Sequence, residues 1–304
     1  MKNREKNIKI LSIIGSPVAF CFYGLIIFGT GIFCLEFTDD LPFDLRGFLT
    51  EAYGFLLDIL FFGILIALVN KLRTKGERFE RYKEELEDYK DWEEKEGIYR
   101  KTGIIKRFIR EKVKLPSLSD CFLEGAKLNK ADLSGVNLNG ANLNKAELNN
   151  AKFIEADLGL ARFVKTKLCK AELIEACLVR AKFIHADLTG AKLIGANLND
   201  ARLFHVDLID ADLTGAKLIG AVLYDVDLYR ADLNGADFTK AKLANTQFTK
   251  ADLSGANFHE AEHLTALKLS RAKSLSGVMN LDPALKKELQ DKKFGHLFDE
   301  QPKE

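Results

Sequence analysis

Residues 131–145 read Ala-Asp-Leu-Ser-Gly-Val-Asn-Leu-Asn-Gly-Ala-Asn-Leu-Asn-Lys, three copies of a five-residue unit: a small residue, a polar one, Leu, then two turn-forming positions. The large apolar position recurs without a slip from Leu123 to Phe258, giving 28 centres, 22 of them Leu and six Phe (Phe153, Phe163, Phe183, Phe238, Phe248, Phe258). Two residues before each centre stands Ala 22 times, and otherwise Cys121, Val136, Thr166, Val206, Val226 or Thr246. Self-similarity at a fixed period sets the architecture before any local propensity is weighed.

A period of five matches neither a helix nor a long strand. Within each unit, however, the small and large residues are two apart and share one face of an extended segment, while the residue between them points away. Gly, Asn, Asp or Lys commonly fills the last two places, where the chain must bend sharply. Each unit therefore reads as one short side of a coil with its Ala and Leu inward. Thr166, Val206, Val226 and Thr246 lie at separations divisible by twenty, as do Phe163 with Phe183 and Phe238 with Phe258, whereas no two Phe centres are fifteen apart. Four sides per turn are favoured over three.

With these residues in view the chain resembles the pentapeptide-repeat family, whose Ala-(Asp/Asn)-Leu-X-X pattern runs almost unbroken over 122–258. The resemblance implies a β-solenoid, specifically a right-handed quadrilateral β-helix of about seven coils. Seven coils at the ordinary strand spacing make a rod of roughly 34 Å, whose two open ends need covering.

Composition shifts near Lys71 and Pro116 divide the chain into a hairpin at 1–70, a charged helical linker and N-terminal cap at 71–115, the β-helix at 116–262, and an irregular cap with a short helix and tail at 263–304. Two apolar runs, about 10–35 and 52–70, read as membrane spans that would place lipid among the chain's partners. Lys2, Arg4, Lys6 and Lys9 precede the first, and Lys71, Arg73, Lys75 and Arg78 follow the second. The connecting loop holds Glu36, Asp39, Asp40, Asp44 and Glu51 against one Arg46. The positive-inside rule then places both termini and the repeat domain on the cytoplasmic face of the inner membrane. Asp58 falls in the second span and is a functional candidate as an intramembrane acid, with helix pairing or an interfacial position as the structural alternative.

From Lys71 to Glu96 the chain reads as one charged helix, with Leu72, Phe79 and Leu86 seven apart and Tyr82 and Tyr89 between them. Either this short seam (71–96) makes a homo-oligomeric coiled coil, or the helix lies against its own chain. Gly97 interrupts the pattern, and the apolar residues of 98–114, with Ile104, Ile105 and Phe108 among them, gather on one helical face. That face would cap the first coil or lie on anionic lipid. At the other end the period fails at His263, and Asp282-Pro283 opens a short helix.

No catalytic constellation emerges. None of the five His residues stands with Cys at a metal-ligand spacing, the Cys are scattered, and the acids follow the repeat, so neither metal, cofactor nor small-molecule substrate is expected. Function is expected on the exterior, which the twenty-residue period unrolls into columns: Arg162, Lys182 and Arg202; beside them Val164, Ile184, Phe204 and Tyr224; then His185 and His205. A neighbouring side stacks Asp187, Asp207 and Asp227. An exposed apolar column flanked by Arg marks a candidate protein-docking face. The leading expectation is a non-catalytic, membrane-anchored scaffold with an unknown protein partner. One alternative is an oligomeric, membrane-perturbing or channel-like effector. Some members of the pentapeptide-repeat family are similar to DNA in shape and charge and bind topoisomerases; that alternative requires an acidic rod, whereas 45 basic against 44 acidic residues leave a formal net charge of +1. Nucleic acid is not expected as a partner, because the basic column is one residue wide and flanked by acids.

Overall fold

The computed structural model describes residues 43–292 and 294–299. They divide into two compact units, one running to Glu80 and the other beginning at Arg81.

In the second unit the five-residue unit is one side of a coil, and its inward positions are closed to water: every centre from Leu123 to Phe258 is at most 3% exposed. Four successive outward residues bridge in parallel to partners twenty residues on, Phe122 to Asn142, Lys127 to Glu147, Asp132 to Lys152 and Asn137 to Asp157, so four units complete a turn. The Phe pairs twenty apart stack in the core, Phe163 on Phe183 at 4.5 Å and Phe238 on Phe258 at 5.3 Å between ring centroids. The preference for Asp or Asn between Ala and Leu has a local cause. Their side chains accept the N–H two residues on, as Asp132 does from Ser134 and Asp212 from Thr214, and so close the corner.

The ladder extends past the sequence pattern at both ends. Leu118 is buried and its N–H donates to the Asn137 carbonyl at 2.7 Å, so the side beginning at Pro116 already belongs to the coil. Beyond Phe258 the period lapses at His263, but Asp252 bridges Ser274 and Asn257 bridges Met279, a step of 22 residues instead of 20. The longer connection carries a short helix, Ala266–Leu269, whose Lys268 donates to the carbonyls of Leu243 and His263 at 2.6 and 2.7 Å. A second helix, Pro283–Asp291, is capped by Asp282, which accepts the Ala284 N–H, and buries Leu289. The 3-10 turn Gly295–Phe298 follows, with the Leu297 carbonyl accepting from Leu275 N–H at 2.6 Å.

Two helices precede the coils. Helix α1 runs unbroken over Phe43–Asp88 and α2 over Lys95–Arg110. The expected single helix to Glu96 thus ends eight residues early, and the break lies at 89–94 instead of Gly97. Gly97 sits inside α2 because Trp92 crowds it: a Cβ there would meet Trp92 Cγ at 2.6 Å. Ile104, Ile105 and Phe108 of α2 are fully buried, and Lys101 brings its Nζ 5.9 Å from the Phe122 ring centroid, so α2 covers the first coil. Its apolar face is therefore occupied by protein.

The last turns of α1 pack on α2. Tyr82 meets Phe108 edge-on at 5.5 Å and donates its hydroxyl to Glu111, while Arg107 holds Glu85 through two bonds of 2.9 and 3.0 Å. Tyr82 and Leu86, two members of the expected seam, are buried within their own chain. Earlier in α1 lies one stretch long and apolar enough to cross a membrane, with no residue of its apolar window buried. It contains the expected span 52–70, whereas the span 10–35 lies outside the described residues.

Candidate functional site

One side of the solenoid differs from the other three. Its sides are true strands: β1 Arg162–Val164, β2 Lys182–Ile184, β3 Arg202–Phe204, β4 Val222–Tyr224 and β5 Lys242–Ala244 form a five-stranded parallel sheet in sequence order. The difference shows at the following corner. Elsewhere the corner closes with an N–H to C=O bond, as from Ala161 to Leu158 at 3.1 Å or Ala241 to Phe238 at 2.9 Å. Here it stretches to 3.5 Å from Thr246 to Leu243, and no such bond closes at Thr166, Ala186, Val206 or Val226 among the described residues. Four of these five are β-branched exceptions to Ala; the corner at Val136, on another side, closes at 3.2 Å, and that at Ala186 is open without a branched residue. Thr166 and Thr246 turn their hydroxyls to the Leu143 and Leu223 carbonyls at 2.8 and 3.4 Å.

The open corner lets each strand run one residue further. Residues two apart then share the outer face, and the sheet register aligns Arg162, Lys182 and Arg202 in one column and Val164, Ile184, Phe204 and Tyr224 in the next. The nine residues picked out in the sequence are brought together on this sheet and its corner. The cations are exposed, Val164, Ile184 and Phe204 half-buried, and Tyr224 is 41% exposed. At the corner His185 stacks on His205 with centroids 4.8 Å apart, and His205 Nδ1 lies 2.8 Å from Asp225 Oδ2. Sequence reasoning left out Val222, Lys242 and Ala244, which complete the sheet, and Asp225; the same twenty-residue step would have reached them.

Around the corner Asp187, Asp207 and Asp227 pair in register. Loss of solvent, then the charges of Asp187 and Asp227, pushes the Asp207 carboxyl up. Asp187 instead accepts the Cys169 thiol at 2.8 Å. Burial and that bond push the Cys169 thiol up to about 11, which makes it a poor nucleophile at neutral pH. Among the described residues no three His, Cys, Asp or Glu side chains converge as a metal site. Asp58 lies exposed on α1 in the other unit.

A groove of about 1020 Å³ between α2 and the first coil, lined in part by Tyr99, Thr102, Gly103, Phe122 and Lys127, was not legible in the sequence, because it depends on how the cap seats.

The model of pentapeptide repeats matches in eight copies over residues 117–144 and, in overlapping stretches, 146–262. A solved pentapeptide repeat protein of Nostoc PCC 7120, alr5209, is 31% identical, over 37% of this chain and 83% of that one, with a TM-score of 0.22. The chain belongs to the pentapeptide-repeat family. Other pentapeptide-repeat structures similar to it include HetL of Nostoc sp. strain PCC 7120, involved in heterocyst differentiation regulation, at 26% identity over 59% of this chain and 92% of that one, TM-score 0.25. The chain is also similar to QnrB1, a plasmid-mediated fluoroquinolone resistance protein, at 18% identity over 57% and 88%, TM-score 0.32. The comparison with curated proteins returns no match.

Proposed function

We propose that this pentapeptide-repeat protein is a non-catalytic, membrane-anchored interaction module that docks a protein partner on the β1–β5 face at the cytoplasmic side of the membrane. The observation that carries the reading is the face itself: an outward column of Val164, Ile184, Phe204 and Tyr224 held in register beside three cations on a backbone that is already fully laddered. Aromatic and Arg side chains on a rigid sheet are the usual anchors of an interface. The interior needs no ligand, since its Ala and Leu fill it and the Asx side chains serve the corners. On this reading the ladder from Phe122 to Met279 winds right-handedly through about seven coils. The apolar stretch of α1, together with the run at 10–35, supplies the anchor; anchoring by two spans rests on hydropathy and charge asymmetry. Partner docking is assigned to the sheet and not to a coiled coil through 71–96, because Tyr82 packs on Phe108 of α2 and Leu86 is buried within its own chain. DNA mimicry is disfavoured by the mixed charge of the exterior.

A photo-crosslinking residue at Tyr224 of the full chain, in its native membrane, should yield a discrete protein adduct, and one at Lys192 on another side should not. The triple variant Arg202→Ser, Phe204→Ala, Tyr224→Ala should keep its circular dichroism and lose the partner from affinity capture. Equal adducts from both positions, or capture unchanged in the variant, would overturn the reading.

A further inference from the structure

The cationic column stands apart from the rest of the described exterior in stacking three successive unpaired cations. Among the described residues Arg162, Lys182 and Arg202 make no ion pair, although three successive cations stack in register at the strand spacing of about 4.8 Å. Several other exterior cations are paired, Lys152 and Lys192 with Glu172, Lys167 with Glu147 and Arg230 with Asp210, while unpaired ones such as Lys170 and Arg180 stand singly in their columns. In the same column Lys242 pairs with Glu262. The sheet therefore keeps uncompensated positive charge only along β1–β3, which also carry Val164, Ile184 and Phe204.

The backbone restricts what can bind there. β1 is laddered to Asn142 on one side and β5 to Glu262 on the other, so the face offers no free strand edge and recognition falls to side chains. A partner must then present side chains at the column repeat. An extended strand laid along the coil axis repeats on one face every 6.6–6.8 Å and loses about 1.9 Å per coil against a ~4.8 Å column. A helix repeats every 5.4 Å and loses only about 0.6 Å per turn, which flexible Arg and Lys side chains absorb over three coils. Asp225 and the Asp187, Asp207, Asp227 column border the face on its far side and would repel acids there. Carboxylates are thus admitted on the Arg flank alone.

Resting on the reading of this sheet as the docking face, we infer that its partner element is an acidic amphipathic α-helix lying along the coil axis. One stripe of carboxylates meets Arg162, Lys182 and Arg202, and the adjoining apolar stripe covers Val164, Ile184, Phe204 and Tyr224. At 100° per residue, Glu at i, i+4 and i+7 beside Leu at i+1, i+5 and i+8 makes such a pair of stripes.

The probe is a fluorescent helical peptide of that pattern, titrated by anisotropy against the full chain in detergent micelles, with a second peptide in which Lys replaces every Glu. The acidic peptide should bind, and should weaken by about tenfold or more on the Arg162→Glu, Lys182→Glu, Arg202→Glu variant, one such step being 1.4 kcal/mol. The Lys peptide should bind that variant better than the wild type. If the triple reversal fails to fold, Phe204→Ala with Tyr224→Ala on the wild-type charges should weaken the acidic peptide, and added salt should weaken it on the wild type. No binding of the acidic peptide, equal binding of both peptides, or tighter binding of a short DNA duplex would overturn the inference. A partner adduct at Tyr224 with no peptide binding would leave the docking face standing and remove only the acidic helix; no adduct in either test would remove both.

Discussion

Asp207 illustrates how the repeat can set a residue against itself. Its carboxyl is pushed up by loss of solvent and then by Asp187 and Asp227 above and below it, and no hydrogen bond to a backbone N–H offsets this, unlike Asp187, which accepts from Thr189, and Asp227, which accepts from Tyr229. A carboxyl raised on folding holds its proton more tightly in the native state, so its penalty is absent below the unfolded value and appears as pH rises through the folded one. Asp207→Asn should therefore raise the melting temperature at pH 7, by the equivalent of at most about 1 kcal/mol because the site is solvent-screened, and leave it unchanged near pH 3. A destabilised variant at pH 7 would contradict the sign. The stacking of three acids was legible from the twenty-residue step. The burial of Lys101 was not, because a Lys on a charged helix gives no sign of its surroundings; its Nζ donates to the carbonyls of Lys90 and Trp92 at 3.0 Å and holds the 89–94 turn shut.

Among the elements, α2 matters most to the integrity of the coils, since it covers the exposed ladder at Phe122 that would otherwise recruit another chain. Phe108, fully buried and edge-on to Tyr82, joins α2 to the end of α1. Phe108→Ala should cost about 3–5 kcal/mol, read as a lower denaturant midpoint, and should promote self-association through the uncovered end. A midpoint unchanged from wild type would show that the cap contributes little. The heptad-like spacing of Leu72, Phe79 and Leu86 falls on a helix, but spacing alone does not name what each residue meets: Leu72 is 70% exposed and Leu86 is buried. Tyr82 went to α2 because Phe108 offers it an aromatic edge, while Arg107 of α2 holds Glu85 beside it through two bonds.

In the second unit as a whole, the period of five and the period of twenty carry separable information. Deleting residues 166–185 removes one full turn and should stack Arg162 on Arg202, leaving the columns closed up and the Tyr224 crosslink intact. Deleting 171–175 removes one side, keeps every Ala and Leu inward, and turns all later sides by a quarter, so that Asp187 follows Arg162 in place of Lys182. Both deletions should keep a strand-type circular dichroism spectrum and the Tyr224 crosslink, since the second parts only Arg162 and Val164 from a column in which Lys182, Arg202, Phe204 and Tyr224 stay in register. Loss of the spectrum in the twenty-residue deletion alone would contradict the four-sided ladder.

The amino-acid sequence by itself determined the solenoid, its inward residues and the four sides of each turn, because those follow from contacts two residues apart and from likeness at twenty. It also placed Arg162 through Tyr224 in common columns. Only the tertiary structure decided that this side, and not the others, flattens into a sheet, since its corner bond is lost or stretched in successive coils whether the residue is Thr, Val or Ala. It decided likewise that the ladder resumes after His263, and that Tyr82 near the end of α1 packs on Phe108 of α2. Those outcomes turn on packing between segments distant in sequence, where no local period reaches.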